Sequence, residues 1–154
     1  MNKIRFKAEE YGLGSICEPI LRSVPEWFGR EDALQKYIDD INTMPTYTAW
    51  DDKKLVGFFS VNHHSSTSVE LHVLALHRDY HRKGMGTDFY QYIENDLKSK
   101  RFSFVQVKTL SPRANNSDYK KTYDFYIKQG FHLLEDSDYM WGEETPCAQL
   151  IKCI

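Results

Sequence analysis

The apolar positions of this chain switch between two spacings, alternate residues in some stretches and every third or fourth residue in others. Ile4 and Phe6 alternate with Lys3, Arg5 and Lys7, which predicts a short strand with one buried face. Tyr11-Gly-Leu-Gly14 breaks it. Ile16, Ile20, Leu21 and Val24 then fall on one helical stripe, interrupted by Pro25 and the pair Trp27-Phe28. A second helix carries Leu34, Tyr37, Ile38 and Ile41, with Glu31 and Asp32 in its first turn, where the helix dipole favours acids. Pro45 ends it.

Three strands follow. Thr46 to Trp50 is aromatic and β-branched, and Asp51-Asp52-Lys53-Lys54 turns the chain into Leu55–Val61. Gly57 within that strand signals a bulge or a close backbone approach. The polar run Asn62–Ser68 predicts a second hairpin turn. After Glu70 the segment Val69–Leu76 is nearly all apolar, as expected of a central strand covered on both faces. A third helix places Met85, Phe89, Tyr92, Ile93 and Leu97 on its buried side, and Phe102–Leu110 is the next strand. Ser117 is the expected cap of a fourth helix bearing Tyr119, Thr122, Tyr123, Tyr126 and Ile127. Gly130 stops it, and strands at Phe131–Leu134 and Cys147–Ile154 close the chain. This order predicts an α/β sandwich, a mixed sheet of six to seven strands with about four helices, in one domain spanning 1–154.

Composition narrows the function classes. The formal net charge is −2, so the basic balance of a nucleic-acid binder is missing. The densest basic cluster, His81-Arg82-Lys83, is too short for a duplex footprint and suits a small phosphorylated ligand. Three widely spaced cysteines, Cys17, Cys147 and Cys153, with no CxxC pair, argue against a disulfide framework and a structural zinc site. No apolar run reaches the length that crosses a bilayer, and no leader is evident, so a cytoplasmic location with no membrane partner is the expectation.

The chemistry concentrates after the central strand. His81-Arg82-Lys83-Gly84-Met85-Gly86-Thr87 joins a strand end to a helix start. Glycines there let the backbone approach a ligand closely, and the amides of a first helical turn favour an anion. Neither a Walker A loop nor a complete dinucleotide fingerprint is present.

VLALHRDYHRKGMGTDFY and, further along, TYDFYIKQGF together resemble the two signature regions of the GCN5-related N-acetyltransferase (GNAT) family. The resemblance implies a GNAT-like fold and transfer of an acetyl group from acetyl-coenzyme A, without a metal, directly to a small-molecule or peptide amine in a ternary complex. It also implies that the backbone of Leu74, Ala75 and Leu76 binds the pantetheine arm, and that Arg82, Lys83, Gly84, Met85, Gly86 and Thr87 hold the pyrophosphate. Tyr126 matches the family's general acid, and Glu70, opening an apolar strand, is the candidate base. An apolar setting would suit it to accept a proton near neutrality. Glu26, Trp27 and Phe28 lie where the family forms its acceptor wall, and an acid beside two aromatics can receive a cationic amine. A homodimer through the last strands is a family-level expectation.

Two departures stand out: His81 takes the place of the usual Arg or Gln, and Tyr119 that of an Asn for which Asn115 or Asn116 could substitute. His72 is a reserve base. His63-His64 reads as a surface hairpin rather than a metal pair, because neighbours on a strand point to opposite sides and no third ligand is evident. Rival readings are a non-catalytic acyl-CoA-binding module and a nucleotide-phosphate-binding regulatory protein.

Overall fold

The structure, a computed structural model, describes residues 3–154. Among the described residues, seven strands and five α-helices follow one another in the order β1 (Ile4–Glu10), α1 (Gly14–Ser23), α2 (Pro25–Phe28), α3 (Glu31–Thr43), β2 (Thr46–Asp51), β3 (Lys54–His63), β4 (Ser68–Leu76), α4 (Met85–Ser99), β5 (Phe104–Leu110), α5 (Ser117–Lys128), β6 (His132–Ser137) and β7 (Cys147–Cys153). The strands form one mixed sheet in the order β1-β2-β3-β4-β5-β7-β6. β4 and β5 are parallel, whereas β1–β2, β2–β3, β5–β7 and β6–β7 are antiparallel. The expected α/β class, mixed sheet and succession of elements along the chain are therefore present, and the Pro25-Trp27-Phe28 interruption is a separate one-turn helix, the fifth.

The chain divides into two compact units. The first comprises Met1–Asn62 and His72–Arg101. Cys17, Ile20 and Leu21 of α1 and Leu34, Ile38 and Ile41 of α3 make a core with Phe58, Val73 and Ala75. α1 is rotated relative to the stripe read from sequence. Cys17 is buried, and Ile16 is 42% exposed. The cause lies at Gly14, where an added Cβ would sit 2.5 Å from the Ile38 carbonyl oxygen. The Gly14 amide also donates to Asn42 Oδ1 at 2.8 Å, so the start of α1 is pinned against α3. On α4, Phe89 stacks on Phe6 with ring centroids 5.0 Å apart. Tyr92 is only half-buried, and Tyr90 takes the deeper place, its hydroxyl donating to Glu94 at 3.1 Å.

The second unit comprises His63–Leu71 and Phe102–Ile154. β5 pairs with β4 over Ser68–Leu71 and with β7 over its whole length. Its buried apolar side chains are Val69, Leu71, Val105, Val107, Tyr126, Phe131, Cys147, Ala148 and Leu150. Of the five residues expected on the inner face of α5, Tyr126 alone is fully buried, and Ile127 is exposed. The cap is Asn116, not Ser117: Asn116 Oδ1 accepts from the amides of Asp118 and Tyr119 at 3.0 and 3.2 Å. Ser117 is itself the first helical residue.

Candidate functional site

In the first unit, β4 runs out through Leu74, Ala75 and Leu76, which lie beyond the stretch laddered to β5. The His77 amide donates to the Val56 carbonyl at 2.8 Å, and a 3-10 turn over Arg78–Tyr80 follows. His81 folds back so that its Nε2–H donates to the Leu76 carbonyl at 2.8 Å. This gives the departure at His81 a role: it closes the loop on the strand end that precedes it.

Two residues of the loop then adopt left-handed backbone, Arg82 with φ 60° and Gly84 with φ 77°. Such a reversal turns the chain sharply into the fifteen-residue helix α4. Gly84, at the N-cap, has no side chain with which to cap α4, and the positive end of the helix faces the loop, a setting that favours an anion. Arg82, Lys83, Gly84 and Thr87 are exposed there, Gly86 is half-exposed, and Met85 is buried as an apolar anchor beneath them. Met85 Cε lies 3.4 Å from where a Cβ on Gly57 would stand. The loop is also tied to the β2–β3 turn by the Tyr80 hydroxyl, which donates to Asp51 Oδ2 at 2.5 Å.

The α2 turn is held in the same unit. The Arg78 guanidinium clasps the Glu26 carboxylate and donates from Nε to the Ser23 carbonyl at 2.9 Å. The hydrogen bond from Arg78 to Glu26 holds the Glu26 carboxyl below the usual carboxylate range. The expected acid of an acceptor wall is thus already ion-paired. Trp27 meets the His81 ring edge-on at 6.0 Å, and Phe28 meets Tyr37 at 5.5 Å, so both aromatics brace the helices as well as facing outward in part. His72, the reserve base, bonds Asp40 at 2.8 Å.

In the second unit, Glu70 is buried at the start of β4. The apolar setting expected for it is absent. Its Oε1 accepts from His64 Nε2 at 2.6 Å and lies 3.6 Å from Lys108 Nζ. His64, read from the sequence only as part of a surface hairpin, is therefore tied to Glu70, and Lys108 was not singled out by sequence spacing. Only the placement of polar residues on one face of adjacent strands could have hinted at the cluster. His63 packs its ring against Phe102 at 5.1 Å. Among the described residues, no three His, Cys, Asp or Glu side chains converge as a metal site.

Tyr126 is 2% exposed, set between the rings of Phe125 and Phe131 at 5.5 and 5.6 Å. Burial pushes its phenol well above the ordinary value, so it keeps its proton through the neutral range. Tyr119 is half-exposed on the same helix, Asn116 is occupied as its cap, and Asn115 adopts left-handed backbone with φ 56°.

Comparison with known proteins agrees with this geometry. Solved structures of similar fold include a GNAT-family acetyltransferase from Desulfovibrio desulfuricans (TM-score 0.79, 13% identity, 98% of this chain and 99% of that one). Another is the PaiA N-acetyltransferase from Thermoplasma acidophilum in complex with coenzyme A (0.76, 18%, 99% of each). A third is the aminoglycoside 6'-N-acetyltransferase from Enterococcus faecium (0.72, 20%, 97% and 96%). At such identities the likeness is one of fold. No curated protein matches the chain in sequence. Residues 43–133, more than half of the chain and including the whole glycine loop, match the model of the acetyltransferase (GNAT) domain, and the chain belongs to that family.

Proposed function

We propose that this protein transfers the acetyl group of acetyl-CoA directly to an amine, small-molecule or peptide, bound together with the coenzyme. The observation that carries the reading is the left-handed turn at Gly84, which opens a fifteen-residue helix directly beyond the β4 strand end. That turn suits a pyrophosphate, held by the backbone of residues 82–87 with the charge of Arg82 and Lys83 beside it. The strand edge at Leu74, Ala75 and Leu76 suits the amide-bearing pantetheine arm, which would add to it as an extra strand.

The reaction asks for position first: an uncharged amine must meet a thioester carbonyl, and holding the two together supplies much of the rate. The carbonyl oxygen gains negative charge as the tetrahedral adduct forms, and backbone amides near it stabilise that charge. The amine nitrogen must lose a proton, and Glu70, in contact with His64, supplies the negative charge of the basic centre. The thiolate must gain one, and Tyr126, kept protonated by its burial, is the donor. Glu26, Trp27 and Phe28 are the proposed acceptor wall, with the aromatic faces rather than the ion-paired Glu26 receiving the amine. An aminoglycoside acetyltransferase and an N-acetyltransferase seen with coenzyme A share the fold, which supports an amine acceptor.

The test is a calorimetric titration with acetyl-CoA and with ATP, repeated on Gly84→Glu, followed by a screen of amines with Tyr126→Phe as control. Saturable acetyl-CoA binding lost in Gly84→Glu, with thiol release that falls roughly 10²-fold in Tyr126→Phe, is the expected result. Binding without turnover of any amine would favour a non-catalytic module. Competition by ATP would favour a nucleotide-phosphate binder.

A further inference from the structure

We propose that the atom that accepts the amine's proton is Nδ1 of His64, and that Glu70 is the carboxylate that orients the ring and balances its charge. The proposal rests on the acetyl-transfer reading above and changes the assignment of the base within it.

Access to solvent distinguishes the two side chains. The Glu70 side chain is 9% exposed and its Oε1 is occupied by His64 Nε2 at 2.6 Å, with Lys108 Nζ 3.6 Å away. The His64 side chain, by contrast, is 39% exposed. A proton can reach the ring far more readily than the carboxylate behind it.

The donors and acceptors of the pair settle which ring nitrogen carries the hydrogen. An ionised carboxylate only accepts hydrogen bonds, so the nitrogen facing Glu70 must carry the hydrogen. That fixes the neutral ring as the Nε2–H tautomer and leaves the lone pair on Nδ1. A carboxylate behind one nitrogen of an imidazole and a free lone pair on the other is the arrangement that makes histidine an oriented general base.

The backbone holds the ring in place. His64 N–H donates to the Ser68 carbonyl at 3.0 Å, and Ser65 Oγ accepts from the amides of Thr67 and Ser68 at 3.2 and 3.1 Å. The turn between β3 and β4 is thereby closed on itself, with His64 at its mouth.

The step balances simply. The N–H bond of the ammonium, or of the adduct formed from it, breaks, and an N–H bond forms at Nδ1. The electron pair stays on the amine nitrogen. The imidazolium stands against the Glu70 carboxylate and afterwards gives its Nδ1 proton to bulk water. Around the pair, Lys108 from β5 opposes the imidazolium, and Cys147 from β7 lies within the field of Lys108 and Glu70. Glu70 is the one acid in contact with the ring among the described residues, so it offsets the opposition of Lys108.

The experiment uses the full chain and an amine that it acetylates, with rates followed across pH for wild type, His64→Gln, His64→Ala and Glu70→Gln. His64→Gln can still donate to Glu70 but has no lone pair to take a proton. Its rate should fall roughly 10²-fold and the limb of the pH profile that reports the base should vanish. Acetyl-CoA binding should be unchanged. Added imidazole should restore part of the rate to His64→Ala and none to Glu70→Gln. A wild-type rate and profile in His64→Gln, whatever Glu70→Gln does, overturns the proposal. Nitrogen NMR of the ring gives a readout independent of turnover: the Nε2–H form should dominate in wild type and lose its excess in Glu70→Gln. A ring carrying its hydrogen on Nδ1 overturns the proposal as well. Failure of every amine to be acetylated bears instead on the acetyl-transfer reading, and the NMR measurement still decides the dyad.

Discussion

Leu76 occupies the space that a side chain at Gly57 would need. A Cβ built on Gly57 would stand 2.7 Å from Leu76 Cδ2 and 3.5 Å from the Ala75 carbonyl oxygen. The glycine therefore leaves room beside β3 for the Leu76 side chain at the outgoing end of β4. The β2–β3 register also slips here, between Ala49, opposite Gly57, and Trp50, opposite Leu55. The bulge and the close approach expected at Gly57 are both present, and they serve the strand end proposed to hold pantetheine.

Gly57→Ala should push the tip of the Leu76 side chain aside and cost about 1 kcal/mol, the low end of overpacking, because that tip can rotate away. Acetyl-CoA affinity should drop with it, because Leu76 leads into the glycine loop. A thermal melt read beside a calorimetric titration checks both. Stability lost with affinity intact would separate Gly57 from the site.

Gly84 makes a different kind of demand. A Cβ there meets nothing within 4 Å, so the restriction is the left-handed φ of 77° and not space. Gly84→Ala should cost about 1–2 kcal/mol. Gly84→Asn should cost less, because asparagine tolerates this region. Gly84→Glu adds a charge that repels phosphate, so acetyl-CoA affinity should fall in the order Gly, Asn, Ala, Glu. Equal losses for Asn and Glu would argue against an anion at the loop.

What the sequence made legible follows from what local pattern can encode. Period-two and period-three-to-four runs mark elements, so the order of strands and helices could be read from residues such as Ile4, Phe6, Leu34 and Ile38. A glycine pair between a strand and a helix marks backbone approach wherever it occurs, so the loop at Gly84 could be read as well. The rotation of α1 could not, since it depends on Gly14 meeting Ile38 and Asn42 of another helix. The His64–Glu70 pair was hidden for a related reason. Six positions separate the two along a hairpin, and only the closed turn brings their side chains to 2.6 Å.

The helix that carries Tyr126 offers a direct comparison of pattern with geometry. Ser117 is the obvious capping residue by type, yet Asn116 makes both cap hydrogen bonds. Asn116→Ala should cost about 1 kcal/mol, and Asn116→Asp should be nearly neutral. Ser117→Ala should leave the melt almost unchanged. If the cap also sets the register of α5, Asn116→Ala should lower turnover without altering acetyl-CoA affinity.

Cys17 gives a test at alkaline pH. It is fully buried, and burial pushes its thiol from 9.0 up to about 12. The unfolded chain therefore ionises this thiol first. Cys17 contributes its full stability below about pH 9, and that contribution drains away as pH rises toward 12. At about 1.4 kcal/mol per pH unit, the loss across the window is about 4 kcal/mol. Tyr126 and Tyr47, whose phenols are also raised, add losses of the same sign that begin about a unit higher. Cys17→Ala should start from a lower stability, because it leaves a small cavity, but should decline less steeply between pH 9 and 10, before the tyrosines take over. Denaturant melts at closely spaced pH values resolve the two slopes, and parallel slopes would place the Cys17 thiol in a wetter setting than its burial implies. Reaction with a thiol reagent at neutral pH gives a second check. Cys153 is exposed while Cys17 and Cys147 are buried, so one thiol per chain should react quickly and two only on unfolding.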